Sequence, residues 1–258
     1  MSKKIIIGNW KMNPRSLKDA EKLFSGVVKF TSHIKKTEIV ICPSFIYLDK
    51  LKKLSRKISL GAQDAFSGDT GAFTGEVSTE MLYNIGVKYV ILGHSERRNP
   101  PIGTGETNEI INKKIKSSLA AGLRPILCVG ENTRDESHSY FNFIKTQLEE
   151  CLVGISRNSI YKIIIAYEPV WALSSTANRH DATSRDSLEM VIFIRKVLSD
   201  KFGKEASQVR IVYGGSVNEK YAKDFLENGG VDGLLAGRAS LDAKKFVEII
   251  NIAENLKE

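Results

Sequence analysis

Short runs of isoleucine, valine and leucine recur along the chain, and between them apolar residues fall at steps of three and four. The runs predict strands at Ile5–Gly8, Ile39–Cys42, Ile58–Ala62, Tyr89–Leu92, Ile126–Val129, Ile163–Ala166, Arg210–Tyr213 and Gly233–Ala236. They are apolar at most positions, as a strand buried on both faces requires. Leu188, Val191, Ile194, Leu198 and Phe202 mark one helical face. Phe246, Ile249, Ile250, Ala253 and Leu256 mark a second, and Ile111, Ile115 and Leu119 a third. Strand and helix patterns alternate eight times with no linker between them. This predicts one α/β domain over residues 1–258, a closed (β/α)8 barrel. A doubly wound open sheet is the alternative on pattern alone.

Composition narrows the picture without redirecting it. A chain of 258 residues suits one barrel or two small domains. It is 42% hydrophobic and 26% charged, ordinary for a soluble globular protein. No apolar run approaches the roughly 18 residues of a membrane span, so no membrane partner is expected. Met1-Ser2-Lys3-Lys4 leads directly into the first strand, whose apolar run is too short for a signal peptide. Cys42, Cys128 and Cys151 make no disulfide framework, which points to a reduced, cytoplasmic protein.

The formal charge is +8. Lys50, Lys52 and Lys53, then Lys113, Lys114 and Lys116, then Lys244 and Lys245 read as solvated helix faces. No basic run carries interleaved aromatics, so nucleic acid is not an expected partner. A positive field does suit an anionic substrate.

Barrels of this kind place their chemistry at the C-terminal ends of the strands. There the sequence sets Asn9-Trp10-Lys11, Gln63-Asp64, Gly93-His94-Ser95-Glu96, Gly130-Glu131, Glu168-Pro169, Gly214-Gly215-Ser216 and Gly237-Arg238. Pro169 stops the sixth strand and biases Glu168 towards an extended backbone. Glu168 beside Val170, Trp171 and Leu173 is then either a solvated strand-end acid or a base with a tunable pKa. His94 begins a segment able to start a short helix, whose positive end disfavours imidazolium. A satisfied core histidine is the plainer reading. His33, His138 and His180 have no ligand spacing to it, so no metal is expected. Lys11 at the mouth supplies a fixed charge beside a developing oxyanion, with Asn9 in support. Gly214–Ser216 follows a strand, and Ser216 and Glu219 have capping-box spacing, so the turn is an N-cap or an anion cradle. Gly237 adds a second such turn, and phosphate sites in barrels favour the loops after strands seven and eight.

Asn9-Trp10-Lys11-Met12-Asn13, Gly61-Ala62-Gln63-Asp64, Gly71–Ser78, Leu92–Arg98, Ala166–Ala172 and Tyr213–Val217 together resemble the triosephosphate isomerase family, in order from the first strand to the last helix. The resemblance implies a TIM barrel, no cofactor, and interconversion of dihydroxyacetone phosphate and D-glyceraldehyde 3-phosphate through an enediolate, in glycolysis and gluconeogenesis. It implies Glu168 as base, His94 as neutral electrophile and proton shuttle, and Lys11 as holder of substrate and charge, with Asn9 assisting. The carboxylate base and neutral histidine of that family are a known case of pKa tuning. Glu96 supports Lys11 and the His94 turn, and the Trp171 indole finds Glu131. Ser174, Ser216, Gly237 and Arg238 offer N–H groups to the phosphate. Leu173 and Leu235 cover Glu168 and raise its basicity. The Asp64–Ser78 loop is implied to build a homodimer, with Thr74 reaching Asn9 and Lys11 of the other subunit and Glu76 pairing with Arg97 across the interface.

Three departures stand out. Leu173–Asp181 lacks the glycines of the family's Gly-Thr-Gly-Lys lid and is about three residues longer than usual. The connection Asn99–Gly105 is also longer, and Arg238 replaces a common glycine. The competing functions are a non-catalytic phosphometabolite-binding barrel and a different phosphosugar enzyme. Loss of Lys11, His94 or Glu168 would have favoured the first; the second would need other residues at strand ends one, four and six.

Overall fold

The computed structural model of the chain describes residues 3–173, 176 and 180–256. Among them eight parallel strands close in sequence order: β1 Ile5–Asn9, β2 Glu38–Cys42, β3 Ser59–Ala62, β4 Tyr89–Leu92, β5 Arg124–Val129, β6 Ile164–Tyr167, β7 Arg210–Tyr213 and β8 Gly233–Ala236. Closure rules out the open sheet. It is made by β1 against β8, in register from Ile5↔Gly233 to Gly8↔Ala236. A side chain at 233 would put its Cβ 1.9 Å from the Ile5 carbonyl oxygen, so the seam needs a glycine. The strands begin and end within two residues of the expected positions.

The helices are α1 Leu17–Phe30, α2 Leu48–Lys52, α3 Thr79–Asn84, α4 Ser95–Arg98, α5 Asn108–Ala120, α6 Ser139–Cys151, α7 Ser184–Phe202, α8 Ala222–Asn228 and α9 Ala243–Glu254. Side-chain oxygens start several of them. Ser16 accepts from the Asp19 N–H, Thr107 from Ile110, and Thr183 with Asp186 forms a capping box.

Strand alternation splits the core in two. Ile5, Ile7, Val40, Cys42, Tyr89, Ile91, Ile126, Cys128, Ile164, Ala166, Val212 and Leu235 form one buried cluster. Their chain neighbours Ile6, Ile41, Val90, Leu127, Ile165, Ile211 and Leu234 belong to the larger cluster shared with the helices. All three cysteines are free and buried.

Three local expectations are corrected. Leu188 is exposed; Met190 and Val197 complete the buried face of α7 instead. The Ser216–Glu219 spacing forms no capping box, because α8 starts only at Ala222 and the Asn218 side chain accepts from the Lys220 and Tyr221 N–H groups. Lys114, expected in solvent, is 5% exposed, and its ammonium is shared by Asp64 at 2.7 Å and Glu106 at 2.6 Å. The charge is tolerated in the interior because two carboxylates neutralise it.

Candidate active site

Three strand ends bring their side chains to one mouth. Glu168 follows β6 directly. Its N–H donates to the Val129 carbonyl at 2.8 Å, so the neighbouring strand fixes its backbone. The side chain is 3% exposed. One carboxylate oxygen lies 2.8 Å from His94 Nε2, and the other accepts the Ser95 N–H at 3.1 Å. Burial works to raise its pKa, but the His94 ring, its hydrogen bond, the Ser95 N–H and Lys11 outweigh that. The group is held below the ordinary glutamate value. The raised basicity expected under Leu173 and Leu235 is therefore not a feature of this conformation, in which the carboxylate is turned onto α4.

His94 sits at the N-cap of α4, where its Nδ1 accepts the Glu96 N–H at 3.2 Å. Burial disfavours a second proton on the ring, the Glu168 carboxylate favours it, and the net direction is upward. That upward pull lasts only while Glu168 lies against the ring. The Glu96 N–H is a fixed part of the helix and needs a lone pair at Nδ1, which assigns the proton to Nε2.

Lys11 stands beyond β1. Its ammonium contacts Glu96 at 2.6 Å, and its N–H donates to Asn9 Oδ1 at 3.0 Å. Asn9 itself is 4% exposed. Lys11, His94, Glu168, Leu173 and Leu235 line one cavity of about 210 Å³ with Gly214–Glu219, Gly237 and Arg238. Both glycine turns thus lie at the site. Ser174 falls outside the described residues.

The turn beyond Glu168 is tied down at several points. Val170–Ala172 makes one 3₁₀ turn, and the Trp171 indole N–H donates to Glu131 Oε1 at 2.8 Å. Arg134 donates to the same oxygen at 3.1 Å and lies 5.4 Å from the Trp171 ring centre. The Ser216 hydroxyl donates to the Ala172 carbonyl at 2.7 Å, and the Thr176 hydroxyl to that of Val170 at 2.5 Å.

Several contributors escaped the sequence reading. Asp181 and Lys245 also line the cavity. Lys245 looked like part of a solvated pair, and Asp181 like the far end of a loop. The Ser95 N–H carries no side-chain signal at all.

Fold and site define a (β/α)8 enzyme whose mouth combines a buried carboxylate, a histidine N–H, a lysine and two glycine turns. The family model described as triosephosphate isomerase matches residues 4–253. Triosephosphate isomerase from Aquifex aeolicus is 42% identical over 251 residues, covering 96% of this chain and 98% of that protein. The Thermoanaerobacter pseudethanolicus enzyme is 42% identical over 255 residues, covering 97% of this chain and 100% of its own. That of Dehalococcoides mccartyi is 42% identical over 258 residues, with 98% of each chain covered. The chain belongs to the triosephosphate isomerase family.

Proposed function

We propose that the chain, as a single domain, isomerises dihydroxyacetone phosphate and D-glyceraldehyde 3-phosphate without a cofactor. The observation that carries this is the meeting of Glu168, His94 and Lys11 at one cavity that also takes in the Gly214–Ser216 and Gly237–Arg238 turns. The phosphate lies at those turns, where backbone N–H groups can approach it without obstruction.

Substrate separates the Glu168–His94 pair. The carboxylate removes a proton from the carbon next to the carbonyl; the C–H pair becomes the carbon–carbon double bond of the enediolate, and the carbonyl π pair moves onto its oxygen. His94 Nε2–H hydrogen-bonds that oxygen and moves a proton between the two oxygens. Lys11 offsets the enediolate charge, held in place by Glu96 and Asn9. Protonated Glu168 then returns its proton to the neighbouring carbon, so atoms and charge balance. Away from Ser95 and His94, and covered by Leu173 and Leu235, the carboxylate regains basicity.

The protein works as a cytoplasmic homodimer. The Asp64–Ser78 loop is pinched at its neck by the Phe66 N–H on the Val77 carbonyl at 2.8 Å. Beyond the neck Phe73 is exposed, as are Met12 and Ile46 at the ends of neighbouring strands. Arg97, bound to Asp64 and Glu106 and already in the field of its own chain's Glu76, keeps 52% of its side chain exposed. A coupled isomerase assay tests the activity. A chain that binds the triose phosphates without interconverting them would favour the non-catalytic barrel.

A further inference from the structure

Lys11 has a left-handed backbone, with φ 51°, although it is not a glycine. Side-chain crowding opposes that conformation, so neighbouring groups must impose it. The Lys11 N–H is taken by Asn9 Oδ1. The carbonyl is taken by Gln63, whose Nε2 donates to Lys11 O at 2.8 Å and to Cys42 O at 2.9 Å. Both partners are carbonyls, so the amide can be oriented only with its nitrogen towards them. The Ser44 hydroxyl reaches the same Lys11 carbonyl at a longer 3.3 Å. Cys42 O has a second donor in the Trp10 N–H at 3.1 Å, which stays when Gln63 is removed.

We infer that Gln63, at the end of β3, is a positioning residue for Lys11: its amide holds the left-handed turn that aims the ammonium into the site. This rests on the isomerase reading above. The turn sets the direction in which the side chain leaves the backbone. Relaxing it moves the ammonium away from the oxyanion, though the charge itself remains in the protein. Misplacement of a catalytic group by about 1 Å costs on the order of 10²-fold in rate.

The test is a double-mutant cycle. Gln63→Met keeps the length of the side chain and removes both donors. Gln63→Asn keeps an amide that is one carbon too short to reach both carbonyls. Each is assayed alone, beside Lys11→Met, and combined with it, with melting temperature and molecular mass recorded for every variant. We expect Gln63→Met to lower kcat/KM by about 10- to 100-fold and Gln63→Asn by less. In the Lys11→Met background the same changes cost less than about 3-fold, because their effect passes through Lys11. A purely structural brace gives the same factor in both backgrounds, and that result overturns the inference. So does an active wild type with Gln63→Met at unchanged kcat/KM. If Gln63→Met fails to fold, Gln63→Asn decides on the same two criteria. An inactive wild type overturns the isomerase reading, and this inference with it.

Discussion

Glu168 is delivered to the site by a backbone with no slack, and the neighbouring glycine shows it. A Cβ at Gly130 would fall 1.9 Å from the Glu168 carbonyl oxygen and 2.6 Å from its carbon. Both are backbone atoms and cannot rotate away, so Gly130→Ala must push the end of β6 aside. We expect kcat to fall by at least about 10-fold while far-UV circular dichroism stays native; unchanged kcat would mean the strand ends have more freedom than described. Lys11, His94 and Glu168 were legible as candidates because they end barrel strands, whereas Asp181 and Lys245, which line the same cavity, do not. The backbone donor from Ser95 was not legible, since every residue but proline carries one. Nor was the burial of Lys114, which depends on Asp64 and Glu106 arriving from other parts of the chain.

At the level of elements, apolar runs placed the strands to within two residues, because a strand buried on both faces leaves little else to read. Helix starts were less legible. The Ser216–Glu219 spacing was a cap only in form: α8 starts at Ala222 with no side-chain cap, and Asn218 accepts from Lys220 and Tyr221 in the turn ahead of it. One tie between elements was invisible in sequence. Glu254, near the end of α9, accepts the N–H groups of Lys35, Lys36 and Thr37 ahead of β2, at 2.7 to 3.0 Å. Burial raises its pKa somewhat, but these donors outweigh it and hold the carboxyl below the ordinary value. A depressed carboxylate contributes stability that is present above its unfolded pKa and lost as pH falls through the folded one. Glu254→Gln should therefore lower Tm by roughly 2–6 °C at pH 7, with the gap closing as the pH falls below the ordinary glutamate range. Thermal melts across that range check it; a gap independent of pH would contradict the assignment.

At the scale of the whole molecule, the closed barrel followed from eight alternations, and the position of its mouth followed from the barrel. The segment Leu173–Asp181 departs from the family pattern, and residues 174, 175 and 177–179 of it lie outside the described residues. Met12, Ile46 and Phe73 are exposed apolar residues in the segments that follow β1, β2 and β3, which the proposed homodimer would cover. Light scattering at micromolar concentration should give the mass of a dimer. A fully active monomer would contradict the homodimer.

The most direct test of the central claim is a coupled assay of dihydroxyacetone phosphate and glyceraldehyde 3-phosphate interconversion by wild type and Glu168→Asp. The substitution keeps the charge but retracts the carboxylate by about one carbon–carbon bond. Rapid turnover by wild type is expected, with a fall in kcat of about 10²-fold or more in the variant and a smaller change in KM. An inert wild type, or a variant with near-wild-type kcat, would contradict that claim.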